Sequence, residues 1–107
     1  MIDTLEVRLA QLAALRQTTT YGQLAKDLNL TGPATIARLT DALEHLMEAD
    51  AAQNHPFRAA LVSGRLNQNL PAIGFFTKAA TLARYHNEDP ATYIEKERVA
   101  LYDFICS

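Results

Sequence analysis

Leu5, Leu9, Leu12 and Leu15, with Ala10 and Ala13, recur at spacings of three and four. They predict an amphipathic helix that starts behind Asp3 or Thr4 as a cap and ends near Gln17. The run Thr18-Thr19-Thr20 breaks it. Thr20, with Gln23 three residues on, has the spacing of a capping box for a second helix over Tyr21–Leu28 that buries Leu24, Ala25 and Leu28. Asn29 suits a left-handed C-cap, and Leu30 is placed to plug the core. Pro33 opens a third helix that runs to about Ala51, with Ile36, Leu39, Leu43 and Leu46 or Met47 inward.

Beyond Ala51 the period changes. Phe57–Ser63 is short, apolar and bounded by turn residues, which reads as a strand. Gly64–Asn69 reads as a turn, and Leu70–Gly74 as a short returning strand that Pro71 confines to an edge. A helix is expected over Phe75–Tyr85. The last helix is capped by Asp89, opened by Pro90 and carried to about Ile105 by Ile94, Val99, Leu101, Tyr102 and Ile105. The expected class is therefore mainly α (α+β): a single winged-helix-like domain over residues 1–107, with about five helices and one short β-hairpin as the wing.

Composition narrows the function without naming it. The chain has 107 residues, of which 49% are apolar, enough for one small core. Net charge is −2 and the pI is near 5.8, which excludes a uniformly basic nucleic-acid binder. The charge is uneven, however. Residues 51–87 carry Arg58, Arg65, Lys78 and Arg84 and no acid, whereas both flanking segments are net negative. That asymmetry predicts a local positive face. The N-terminus lacks the apolar block of a signal peptide, and no run reaches the ~18–20 apolar residues of a membrane span, so a cytoplasmic protein is expected.

The helix pair over 21–51 carries the candidate chemistry. In a DNA-reading helix-turn-helix the second helix presents its N-terminal residues to base edges. Here these are Thr31, Thr35 and Arg38. Thr31 and Thr35 suit phosphate or a thymine methyl, and Arg38 suits guanine or phosphate. Tyr21 and Arg58 are placed to meet the flanking backbone, as is Arg65 in the turn GRLNQN. Opposing this, Asp41, Glu44, Glu48 and Asp50 follow Arg38 on the same helix and would repel phosphate.

These segments have a counterpart. TYGQLA, a short turn, a Pro-led helix containing Ala37-Arg38, and a Pro-led apolar stretch from Pro56 together resemble the C-terminal domain of O6-alkylguanine-DNA alkyltransferases and alkyltransferase-like proteins. The resemblance covers about residues 19–76. It implies a winged helix-turn-helix that binds the minor groove and flips out a guanine, with Tyr21 matching the family's tyrosine and Arg38 its intercalating arginine. The family's reactive segment is Pro-Cys-His-Arg-Val, or Pro-Trp-His-Arg-Val in the unreactive relatives. Here it is Pro56-Phe57-Arg58-Ala59-Ala60, with Phe57 in the cysteine's place and no motif histidine. The family's double glycine is also absent. Without a thiolate there is no alkyl acceptor, so alkyl transfer is not expected.

Phe57, Phe75 and Phe76 read as core aromatics. His45, His55 and His86 have no metal-ligand spacing, and the lone Cys106 has no partner for a zinc pair, so no metal, cofactor or enzymatic activity is expected. Two functions remain. One is a non-catalytic winged-helix protein that binds double-stranded DNA. The other is a protein-interaction module whose acidic stripe Asp41, Glu44, Glu48 meets a basic partner. The leucine-rich terminal helices are the candidate surface for a homodimer.

Overall fold

The computed structural model describes residues 4–30, 32, 34–64, 70–86 and 88–106, without the side chains of 105 and 106. Expectations placed on Asp3, Thr31, Pro33, Arg65 with the turn at 65–69, and the Ile105 and Cys106 side chains lie outside these residues. The described order is α1 (Leu5–Ala14), β1 (Thr19–Thr20), α2 (Tyr21–Asp27), α3 (Thr35–Ala52), a 3-10 turn (Arg58–Leu61), β2 (Val62–Ser63), α4 (Ile73–Thr81) and α5 (Pro90–Cys106). The protein is mainly helical, with a small two-stranded sheet.

Helix boundaries follow local chemistry. Thr20 accepts a hydrogen bond from the Gln23 N–H (3.1 Å) and so caps α2. The reciprocal arm of the capping box does not form, because the Gln23 side chain donates instead to Asp27 one turn on (2.9 Å). Asp89 caps α5 by accepting from both the N–H and the hydroxyl of Thr92 (3.1 and 3.0 Å). Helices α1 to α4 end alike. In each, a residue with positive φ (Arg16, Asn29, Asn54 and Ala83) turns the chain. The next N–H then reaches back to a carbonyl five residues earlier, as in Gln17 to Leu12 and Arg84 to Ala79 (both 2.9 Å). This motif stops α1 at Ala14, short of the expected Gln17.

The strand expected at 57–63 is corrected. Residues 58–61 coil into the 3-10 turn, and only Val62–Ser63 is extended. This pair lies parallel to β1, Thr19 opposite Val62 and Thr20 opposite Ser63, and the Ser63 hydroxyl donates to the Thr19 carbonyl (3.2 Å). The expected hairpin partner at 70–74 instead receives the Gly64 N–H at the Leu70 carbonyl (2.9 Å) and forms no strand before α4 begins at Ile73. A continuous apolar run marks a fully buried segment whatever its backbone, so periodicity alone could not separate these cases. Phe57, Ala59, Ala60, Leu61 and Val62 are all buried.

One core joins these elements: Leu5, Leu9 and Leu12 of α1, Leu24 of α2, Leu39, Leu43 and Met47 of α3, the 57–62 segment, Phe75 of α4, and Ile94 and Leu101 of α5. Leu30 packs against it, as expected. A fully buried leucine contributes on the order of 1.5–3 kcal/mol. Three residues assigned inward by periodicity stand out in solvent: Leu15, Ile36 and Val99.

Candidate nucleic-acid interface

α2 and α3 pack against each other, and Ile36, Ala37 and Arg38 in the first turns of α3 are exposed. Gly32 (φ +95°) and Ala34 (φ +60°) both take left-handed conformations in the connection. The Thr35 hydroxyl closes the turn by donating to the Gly32 carbonyl (2.6 Å), leaving its oxygen free to accept. Arg38, one turn on, is exposed, and its side chain makes no hydrogen bond or ion pair with a described residue. From Leu28 to Thr40 the chain carries no acid.

Tyr21 opens α2 and is half-buried against the core. Its phenol oxygen accepts from the Ala72 N–H (3.1 Å), tying α2 to the entry of α4. Burial raises its pKa; the Ala72 N–H opposes this, and Glu44 adds to it. The tyrosine is therefore a neutral hydroxyl near pH 7, with its proton still available to an acceptor.

Arg58 stands elsewhere, with a structural role. Its guanidinium bonds Asp50 through Nη2 (2.9 Å) and Nε (3.1 Å) and Glu6 through Nη1 (2.8 Å), and its backbone N–H donates to Asp50 as well (3.1 Å). Burial pulls the Arg58 pKa down, but the hydrogen bonds and charges of Asp50 and Glu6 outweigh it and hold the group above its ordinary value. Asp50, read from sequence as a surface acid, is only 3% exposed. Its place on the apolar stripe, three and seven residues beyond Met47 and Leu43, was the signal that could have found it.

The expected positive face does not form from the described bases. Lys78 is paired with Glu48 (3.2 Å) and Arg84 with Glu97 (3.1 Å), as Arg58 is with Asp50 and Glu6. The described bases of the acid-free segment are each paired with acids of other helices, so their charge serves tertiary packing. The same pairing removes two of the four acids on α3 that opposed phosphate, leaving Asp41 exposed and Glu44 half-buried.

Phe57 is fully buried. Its ring meets Phe75 edge-on (5.8 Å), and the Arg84 guanidinium lies 4.3 Å from its centroid. Its N–H donates to Glu97 (3.0 Å), the carboxylate that also holds Arg84. The site is a packed corner of the core and presents no reactive group to solvent. Sequence reasoning also missed Ile73, which opens α4 and is 81% exposed.

No family model, curated protein or solved structure matches the chain. Among the described residues no helix is long and apolar enough to cross a membrane.

Proposed function

We propose that this is a non-catalytic protein of the cytoplasm that binds double-stranded DNA through α2 and the first turn of α3, without the hairpin wing expected from the sequence. The observation that supports this best is Arg38. It is an exposed guanidinium without a partner among the described residues, on the second helix of the pair, within a thirteen-residue stretch that lacks acids. The alkyltransferase-like match of Tyr21 and Arg38 points the same way. Arg58 is left out of the contact set because two carboxylates occupy it.

The charge arrangement sets the character of the binding. Lys26 and Arg38 are the bases of the helix pair. Two neutralised phosphates correspond to about a tenfold loss of affinity between about 50 and 200 mM salt. Fluorescence anisotropy with a labelled ~20-base-pair duplex tests this, and Arg38→Ala should lower the salt slope by about one unit. An unchanged slope and affinity in that variant would refute the assignment.

The second reading is a protein-interaction module. It is favoured by Ile73, an exposed apolar side chain at the start of α4, next to Gly74, which faces Glu44 of α3. A chain that binds no duplex at low salt, yet captures a basic partner that charge reversal at Asp41 and Glu44 releases, would decide for it.

A further inference from the structure

We infer that this protein forms a homodimer in which α5 packs antiparallel against α5 of a second copy, Lys96 of each chain pairing with Asp103 of the other. The helix contributes no residue to the DNA-binding reading above, and the inference is independent of it.

Three observations carry it. The first is an uncovered helix side. The leucines that made the terminal helices a candidate dimer surface lie in the core: Leu5, Leu9, Leu12 and Leu101 are buried. The opposite side of α5 is exposed over about three turns, through Thr92, Glu95, Lys96, Val99, Ala100 and Asp103. Val99, at its middle, is 49% exposed. Val99, Ala100 and the aliphatic stem of Lys96 make the centre of that side apolar.

The second is the charge on that side. Other helices close ion pairs within the chain, as Arg8 does with Asp27, Lys78 with Glu48 and Arg84 with Glu97. The side chains of Lys96 and Asp103 make no hydrogen bond or ion pair with a described residue. They are seven residues apart, which is two turns, so they share one stripe. About 10 Å of helix axis lies between them, too far for the two to pair with each other.

The third is symmetry. In a two-fold dimer, if one residue meets a second, the second meets the first. A two-fold axis passing between Val99 and Ala100 has Lys96 and Asp103 at equal distances on either side. Antiparallel packing then sets each lysine level with the aspartate of the other copy, and two ion pairs form together. Val99 meets Val99 of the second copy beside the axis. A parallel pair would set Lys96 against Lys96 and Asp103 against Asp103. Moving the axis onto Val99 would bring Asp103 level with Glu95. The charges therefore select both the direction and the register. α5 has 17 residues and is about 25 Å long. One such helix pair buries less than the ~800 Å² per partner of a standard interface, so the dimer is reversible.

Sedimentation velocity of the whole protein over a range of concentrations tests this. Wild type should pass from monomer to dimer as concentration rises. Lys96→Asp sets carboxylate against carboxylate at both sites, and Asp103→Lys sets amine against amine. Each should weaken self-association about tenfold. Mixing the two variants restores opposite charges at both sites, so the mixture should dimerise as wild type does. Thermal unfolding checks that these exposed substitutions keep the fold. A wild type that stays monomeric at every concentration would overturn the inference. Variants that dimerise as wild type does would overturn it too, as would a mixture no better than either variant alone. Each of these results leaves the duplex titrations unaffected.

Discussion

Asp50→Ala tests the ion-pair network that most changes the reading of the charge pattern. Asp50 is 3% exposed and makes four hydrogen bonds or ion-pair contacts with Arg58, one of them to the backbone N–H. Removing it leaves a guanidinium and an N–H in a half-buried corner. Losing one partner of a buried ion pair costs about 3–5 kcal/mol when the remaining charge is fully enclosed. Here the Arg58 side chain keeps 23% of its exposure and Glu6 still holds Nη1. The expected loss is therefore smaller, about 2–3 kcal/mol. Equilibrium urea unfolding measures it from the shift in midpoint at constant slope. Glu6, whose side chain is 58% exposed, serves as the internal comparison, and Glu6→Gln should cost below about 1 kcal/mol. Added salt should erase the Glu6 contribution and leave that of Asp50, since buried pairs are screened far less. A loss under about 1 kcal/mol for Asp50→Ala would mean that the corner is wet and that the pair behaves as a surface salt bridge.

Other consequences are open to the same assays. Ala83 ends α4 in a left-handed conformation (φ +62°) that its Cβ disfavours. Ala83→Gly should stabilise the protein by about 0.5–1 kcal/mol, net of the added freedom of the unfolded chain. Tyr93 is buried with a hydroxyl that finds no hydrogen-bond partner among the described residues, so Tyr93→Phe should be neutral or stabilising by about 1 kcal/mol, whereas a loss would reveal a partner for the hydroxyl. Burial, followed by the charge of Glu97, raises the Tyr93 pKa well above its ordinary value, and burial raises that of Tyr21. The folded state therefore holds these protons more tightly than the unfolded chain does. Their contribution is complete below about pH 10, the unfolded value, and declines as the pH rises from there towards the folded pKa. Tyr93→Phe should accordingly flatten the fall in melting temperature above about pH 10.

Much of the local structure was legible in the residues alone. Caps and C-terminal turns are written in short range. Thr20 before α2, Asp89-Pro90 at α5 and Asn29 with its left-handed φ all depend on neighbours within one turn, and each forms as expected. The mainly helical class and the apolar segments of the core follow from spacing in the same way. So do the two helices within 21–51 and the burial of Leu24, Leu39 and Leu43.

The remaining features depended on which surfaces meet. Val62–Ser63 pairs with Thr19–Thr20, forty-three residues away along the chain, because α1 and α3 bring those backbones together. The residues of the 57–63 stretch carry no mark of that partner. Ile36 has the spacing of a core residue and becomes surface because α4 begins only beside Glu44, a limit set by where α4 packs. Asp50 has the chemistry of a surface acid and becomes interior because Arg58 folds back onto it. Arg58, Lys78 and Arg84 of the positive segment pair with acids of α1, α3 and α5. Periodicity records which side of a helix is apolar, and local bonds record where it begins and ends. Which neighbour covers each side, and which charges cancel, is decided by packing between distant parts of the chain.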